Sequence, residues 1–234
     1  MDKTFMTSGR VSLKYKHLRV STMAKAATPE ALMTSKPDWM TAKGRPWQRL
    51  GLRPIYDNAW ITVREFDAVA PTGKPALYGL VGMKNLAIGI LPLHSDGTIT
   101  LVGQHRFPLQ AYSWEVPEGG GPLDIDPLIS AKRELAEEAG LAAAHWQEVI
   151  AFDVSNSVTD EQGIGYIATG LSPVDLAPDD TEEIALARVP LKQALRLAMS
   201  GHMRDLITQT LLLRAYYMAR EGEIMGDLAQ HMLD

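Results

Sequence analysis

The sequence predicts a mixed α/β layered fold, and three observations carry that prediction. From Ile55 onward, short stretches alternate apolar with polar residues and are parted by turn-forming clusters, so strands dominate the first half. Helical periodicity enters only later, first after Pro127 and again after Leu191. No segment repeats itself, which excludes solenoids and propellers. Strands followed by inserted helices bury their apolar faces best as packed layers.

Composition bounds what such a fold does. Of 234 residues, 46% are hydrophobic and 22% charged, a globular balance with ample material for a core. The net charge of −5 supplies no basic field for nucleic acid. With 0 cysteines, disulfides, thiolate metal sites and thiol catalysis are excluded. The longest apolar run, Leu86 to Leu93, is too short to span a bilayer. The expectation is a soluble cytoplasmic protein with neither nucleic-acid nor membrane partners.

Residues 1–45 are basic, rich in Ser and Thr, and without periodicity. They read as a disordered N-terminal extension, with an organelle transit peptide as the alternative. The folded domain is expected over 46–222. Ala59 to Val69 alternates as a strand, Pro71 to Lys74 is a turn, and Ala76 to Gly82 is the returning strand. Leu86–Leu93 and Thr98–Arg106, joined by His94 to Gly97, predict a second hairpin. The stretch from Ser113 to Pro127 ends in turn chemistry, with the EGGG segment (Glu118 to Gly121) read as a turn. A helix follows: Asp126 is its N-cap, Pro127 suits its first turn, and Leu128, Ala131, Leu135 and Ala139 form its apolar stripe before Gly140 terminates it. Strands are expected at 145–154, 163–171 and 182–190, then amphipathic helices at 191–200 and 204–220. Residues 223–234 read as a short tail.

The helix carries an unusual charge pattern. In KRELAEEAGL (Lys132 to Leu141), Glu134, Glu137 and Glu138 stand at i, i+3 and i+4, on one side of the helix. Like charges at that spacing oppose a helix by roughly 0.2–0.5 kcal/mol per pair. A solvated glutamate-rich face, with Arg133 pairing Glu137, would account for it. Facing a glycine turn, where backbone can approach closely, the same strip makes an oxygen cage for Mg²⁺.

Gly119 and then Arg133-Glu134-Leu135-x-Glu137-Glu138-x-Gly140-Leu141, at that separation, resemble the Nudix box, G-x5-E-x7-R-E-U-x-E-E-x-G-U, where U is bulky and aliphatic. The resemblance runs from about Leu52 to Arg214, and TLVGQHRFP, WEVPEGG, DPLISAKREL and SNSVTDEQG are similar to segments of the ADP-ribose and nucleotide-sugar pyrophosphatase branch. It implies an α/β/α sandwich around a mixed β-sheet, and hydrolysis of a nucleoside diphosphate sugar, ADP-ribose foremost, with GDP-mannose or another nucleotide sugar as the alternative. A catalytically silent module that binds a nucleotide sugar is the competing class. One position departs from the box: its first glutamate falls on Ile125, between Asp124 and Asp126.

Carried over by motif, the resemblance implies a site. Glu134 and Glu138 would ligate Mg²⁺ (or Mn²⁺), together with the carbonyl of Glu118, and Glu137 would support them or share a second ion. Arg133 would anchor the glutamates, and Glu161, beside Asp160, would position or deprotonate the attacking water. Arg106 would contact phosphate, Glu115 would be a pocket acid, and Trp60 would stack on the nucleobase across a homodimer interface. The segment before Trp60 (RPWQRLGLRPIYDN) is too apolar for a free tail and too irregular for a core strand, and is expected to lie along a partner.

Overall fold

The computed structural model describes residues 36–175 and 183–234. Most of the expected extension, 1–35, lies outside the described residues, as does Glu182 of the last expected strand. Asp38–Met40 forms a single 3-10 turn. The strands are β1 (Gln48–Asp57), β2 (Ile61–Val69), β3 (Pro75–Met83), β4 (Asn85–Pro92), β5 (Thr98–Arg106), β6 (Ala111–Glu115), β7 (Glu118–Pro122), β8 (Leu141–Asp153), β9 (Gln162–Pro173) and β10 (Ala185–Pro190). The helices are α1 (Pro127–Ala139), α2 (Leu191–Met199), α3 (Leu206–Arg220) and α4 (Gly226–Leu233).

Among the described residues three sheets form, ordered β1-β2-β3, β10-β5-β6 and β7-β4-β9-β8. The third is mixed, because β4 and β9 run parallel while its other pairs are antiparallel. Its alternating side chains supply two cores. Ile88, Ile90, Ile164, Tyr166 and Ala168 pack with Ala131, Leu135 and Ala139 of α1. Leu91 and Ile167 pack with Leu191 of α2, Leu211, Leu212 and Met218 of α3, and Met232 of α4. Helices therefore cover both faces of the mixed sheet, the α/β/α sandwich that the resemblance implies.

The structure refines four local expectations. The His94–Gly97 turn forms, with the His94 N–H donating to the Thr98 carbonyl at 2.9 Å, but β4 and β5 share only the Leu93–Ile99 bridge. Both edges of β4 are already taken, by β7 and β9, so β5 pairs with β10 and β6 instead. The glycine run is a strand, not a turn: β7 pairs with β4 from Gly89–Glu118 to Asn85–Pro122. The segment before Trp60 is β1, paired along β2, with register shifts between Arg49 and Gly51 and between Pro54 and Tyr56. Those bulges break the two-residue alternation that marks a strand in sequence. Residues 223–234 include α4, anchored by the fully buried Met232 and by Lys192 Nζ donating to the Leu233 carbonyl at 2.5 Å. Met232 is the one fully buried residue of this short segment, with Leu228, Ala229 and Leu233 only partly buried beside it, too little periodicity to read beforehand.

Candidate active site

The site begins with the ends of α1. The Asp126 carboxylate accepts from the Leu128 N–H at 2.9 Å, and Gly140 closes the helix at φ +60°, a conformation costly for residues with a Cβ. This register turns Glu134 and Glu138 inward, 8% and 2% exposed, and leaves Glu137 more open. Glu138 Oε2 accepts from the Glu118 N–H at 2.8 Å. Glu134 lies directly on Gly119, where an added Cβ would sit 2.1 Å from its carboxyl carbon. Arg133 clasps Glu134 at 2.6 Å and Glu137 at 2.5 Å and donates to the Gly120 carbonyl at 3.1 Å. Burial opposes its charge, but Glu134 and Glu137 outweigh that and raise its pKa.

A second cluster forms where β5 ends. Arg106 donates through Nε to Glu115 Oε2 at 2.9 Å and through Nη2 to Glu118 Oε1 at 2.6 Å. Burial works against its charge, yet the two carboxylates hold its pKa above the ordinary value. Among the described residues, Glu115, Glu118 and Asp205 bring carboxylate oxygens within 4.8 Å of one another. Glu118 Oε2 is buried with no hydrogen-bond partner. Burial first, then the charges of Asp205 and Glu115, push the Glu118 pKa well above the usual carboxylate range. An orphaned carboxylate oxygen among other hard oxygen donors suits a divalent cation such as Mg²⁺, and of the expected ligands Glu118 alone belongs to this group.

Beside the glycine strand lies a cleft of about 270 Å³, lined by Trp60, Met83, Arg106, Glu118, Gly119 and Glu161 among others. Asn58 Oδ1 fixes Trp60 by accepting from its N–H at 2.8 Å, and the ring stays 67% exposed. Burial raises the Glu161 pKa. Arg133, Glu134, Glu137, Glu138 and Glu115 are not lining residues; all but Glu137 meet the cleft through contacts with Gly119, Gly120, Glu118 or Arg106, and Glu137 is tied to it only through Arg133. Sequence reasoning missed Asp205, Asn85 and Ile207. Asp205 had a readable signal, since it caps α3 by accepting from the Thr208 N–H at 2.6 Å. Asn85 and Ile207 reach the cleft only through sheet pairing and helix packing.

Ile125 sits in the turn before α1, 43% exposed. Its side chain fills no core, so Ile125→Glu is expected to leave stability within about 0.5 kcal/mol. The hydrolysis rate should change by less than about tenfold, roughly 1.4 kcal/mol of barrier. A gain of several orders of magnitude in steady-state assays would mark the natural chain as a silent module.

Comparison with known proteins bears on this geometry. The family model of the NUDIX domain matches residues 83–210. The chain is 33% identical over 122 residues to the ADP-ribose pyrophosphatase of Mycobacterium tuberculosis (strain ATCC 25618 / H37Rv), a match covering 50% of this chain and 58% of that protein. It is 31% identical over 153 residues to the ADP-ribose pyrophosphatase of Bacillus subtilis (strain 168), covering 64% of this chain and 82% of the relative. Among solved structures, an ADP compounds hydrolase superposes with a TM-score of 0.69 at 18% identity, covering 79% of this chain and 100% of that one, and supports the fold alone. Among the described residues, no helix is long and apolar enough to cross a membrane.

Proposed function

Because the chain belongs to the NUDIX domain family, we propose that it is a Mg²⁺-dependent pyrophosphatase of nucleoside diphosphate sugars, acting on ADP-ribose to give AMP and ribose 5-phosphate. The observation that carries this reading is the convergence of an exposed tryptophan, a half-buried arginine and two glutamates (Trp60, Arg106, Glu118 and Glu161) on one cleft beside the glycine strand. Water adds to one phosphorus, the bond from that phosphorus to the bridging oxygen breaks, and the water's proton leaves to a base. Glu161 is the base in this reading. Burial raises its pKa, which makes its carboxylate a stronger proton acceptor than that of an ordinary glutamate. Arg106, whose Nε and Nη2 are held by Glu115 and Glu118, would present its remaining Nη1 to a diphosphate oxygen. Glu134, Glu137, Glu138 and the Glu118 carbonyl would hold Mg²⁺, with Arg133 setting the first two carboxylates. When bound, the ion neutralises the diphosphate and lowers the pKa of the attacking water. A panel of nucleotide sugars, assayed with and without Mg²⁺, tests the reading. Hydrolysis of ADP-ribose independent of divalent cation, or none of any nucleotide sugar, would overturn it.

The same reading makes the working unit a cytoplasmic homodimer, with the nucleobase site partly built across its interface. Trp60 stands two-thirds open although it lines the cleft, and β1 leaves Leu50, Leu52, Ile55 and Tyr56 exposed. Trp60→Ala is expected to raise KM by a factor equivalent to about 1–3 kcal/mol of lost binding, the usual worth of one base stack, with little change in kcat. Light scattering should give twice the mass of one chain. A fully active monomer at assay dilution would exclude the shared site.

A further inference from the structure

Glu161 ends a loop that a different set of residues holds in place. The loop from Val154 is closed on itself, with the Val154 N–H donating to the Glu161 carbonyl at 3.1 Å and the Thr159 N–H to the Ser155 carbonyl at 2.9 Å. It is laid against the edge of β3: the Val81 N–H donates to the Val158 carbonyl at 2.9 Å, and the Asp160 N–H to the Val81 carbonyl at 3.3 Å. The Tyr78 hydroxyl donates to the Ser157 carbonyl. Asp160 then uses both carboxylate oxygens on the hairpin. Oδ1 accepts from the Met83 N–H at 2.8 Å, and Oδ2 pairs with Arg64 Nη2 at 3.0 Å.

The hairpin is shaped for this contact. Arg64 lies on β2, and Gly82 on β3 leaves the space its guanidinium occupies: a Cβ at Gly82 would meet Arg64 Nη2 at 2.4 Å and Thr62 Oγ1 at 2.5 Å. Met83, whose amide grips Asp160, itself lines the cleft with Glu161. One residue of the pair thus faces the hairpin and the next enters the cleft.

We propose that Asp160, gripped by Arg64 and the Met83 amide, is a positioning residue that fixes the Glu161 carboxylate for proton transfer. The proposal rests on the reading of Glu161 as the base. A base acts only within hydrogen-bond reach of its proton, and a displacement of about 1 Å costs on the order of a hundredfold in rate. Without the latch, Glu161 sits on a loop held at β3 by backbone contacts alone and by Tyr78.

The test is steady-state kinetics with Mg²⁺ and the fastest-hydrolysed nucleotide sugar of the panel. Asp160→Ala should lower kcat by about ten- to a hundredfold with KM within about twofold, and Arg64→Gln should act in the same direction. Asp160→Asn keeps an oxygen for the Met83 amide and should retain more activity than the alanine variant. In a Glu161→Gln background, Asp160→Ala should cost less than about twofold more, since Asp160 acts only through Glu161. Wild-type kcat for Asp160→Ala beside a slow Glu161→Gln would overturn the latch and spare the base. An equal loss in both backgrounds would also overturn it, as the mark of a merely structural role. A wild type inert towards the panel, or a Glu161→Gln at full rate, removes the base and the latch with it. If Asp160→Ala does not fold, Asp160→Asn and Arg64→Gln carry the same comparison.

Discussion

Glu138→Gln is expected to give a folded protein whose turnover falls by about a thousandfold or more, on the order of 4 kcal/mol of barrier. Glu138 is 2% exposed and accepts the Glu118 N–H through Oε2 at 2.8 Å. Glutamine has the same shape and keeps one carbonyl oxygen for that bond, so β7 retains its tether to α1. What disappears is the negative charge, the property a divalent cation needs from its ligand. The thermal midpoint should therefore move little while kcat collapses. Folded Glu138→Gln with near-normal hydrolysis would remove Glu138 from the cation's ligands. The parallel substitution at Glu137, whose carboxylate is more exposed and held by Arg133, should cost less than at Glu138.

The contrast between Glu137 and Glu138 bears on what the sequence makes legible. Helix α1 was readable to the residue because its signals are local: an aspartate cap, a first-turn proline, an apolar stripe and a terminal glycine. The carboxylate strip was readable for the same reason. The partners of the strip were less so. EGGG has the chemistry of a turn, and only pairing with β4 makes it a strand. The grouping of Glu115, Glu118 and Asp205 joins β6, β7 and the start of α3, and no spacing rule foretells it. Glu161 was found through resemblance, whereas Arg64, Gly82 and Asp160 share a contact that exists only once the hairpin and the loop meet. Local order was legible; encounters between distant segments were not.

Gly119→Ala separates these two levels, because it leaves every carboxylate in the chain and disturbs only an encounter. An alanine Cβ there would sit 2.1 Å from both Cδ and Oε1 of Glu134, and 2.5 Å from Oε2. No pair of heavy atoms tolerates such distances, so something must move. The obstacle is the far end of a glutamate side chain, which swings more readily than the β7 backbone that Gly119 shares with Ile88. The expected result is a stability loss of about 1–3 kcal/mol, as for other overpacked sites. The kinetic loss should be larger, about a hundredfold in kcat/KM, because Glu134 is driven from its place against the glycine strand and Arg133 is drawn with it. The concentration of Mg²⁺ needed for half-maximal activity should rise as well. Gly120→Ala is the milder comparison: its Cβ would meet Asn85 at 3.3 Å, a crowding that a shift of a few tenths of an ångström relieves, so both losses should be smaller than at Gly119. Wild-type kinetics and Mg²⁺ dependence in folded Gly119→Ala would show that the close approach of Glu134 to the glycine strand is packing alone, with no part in holding the cation.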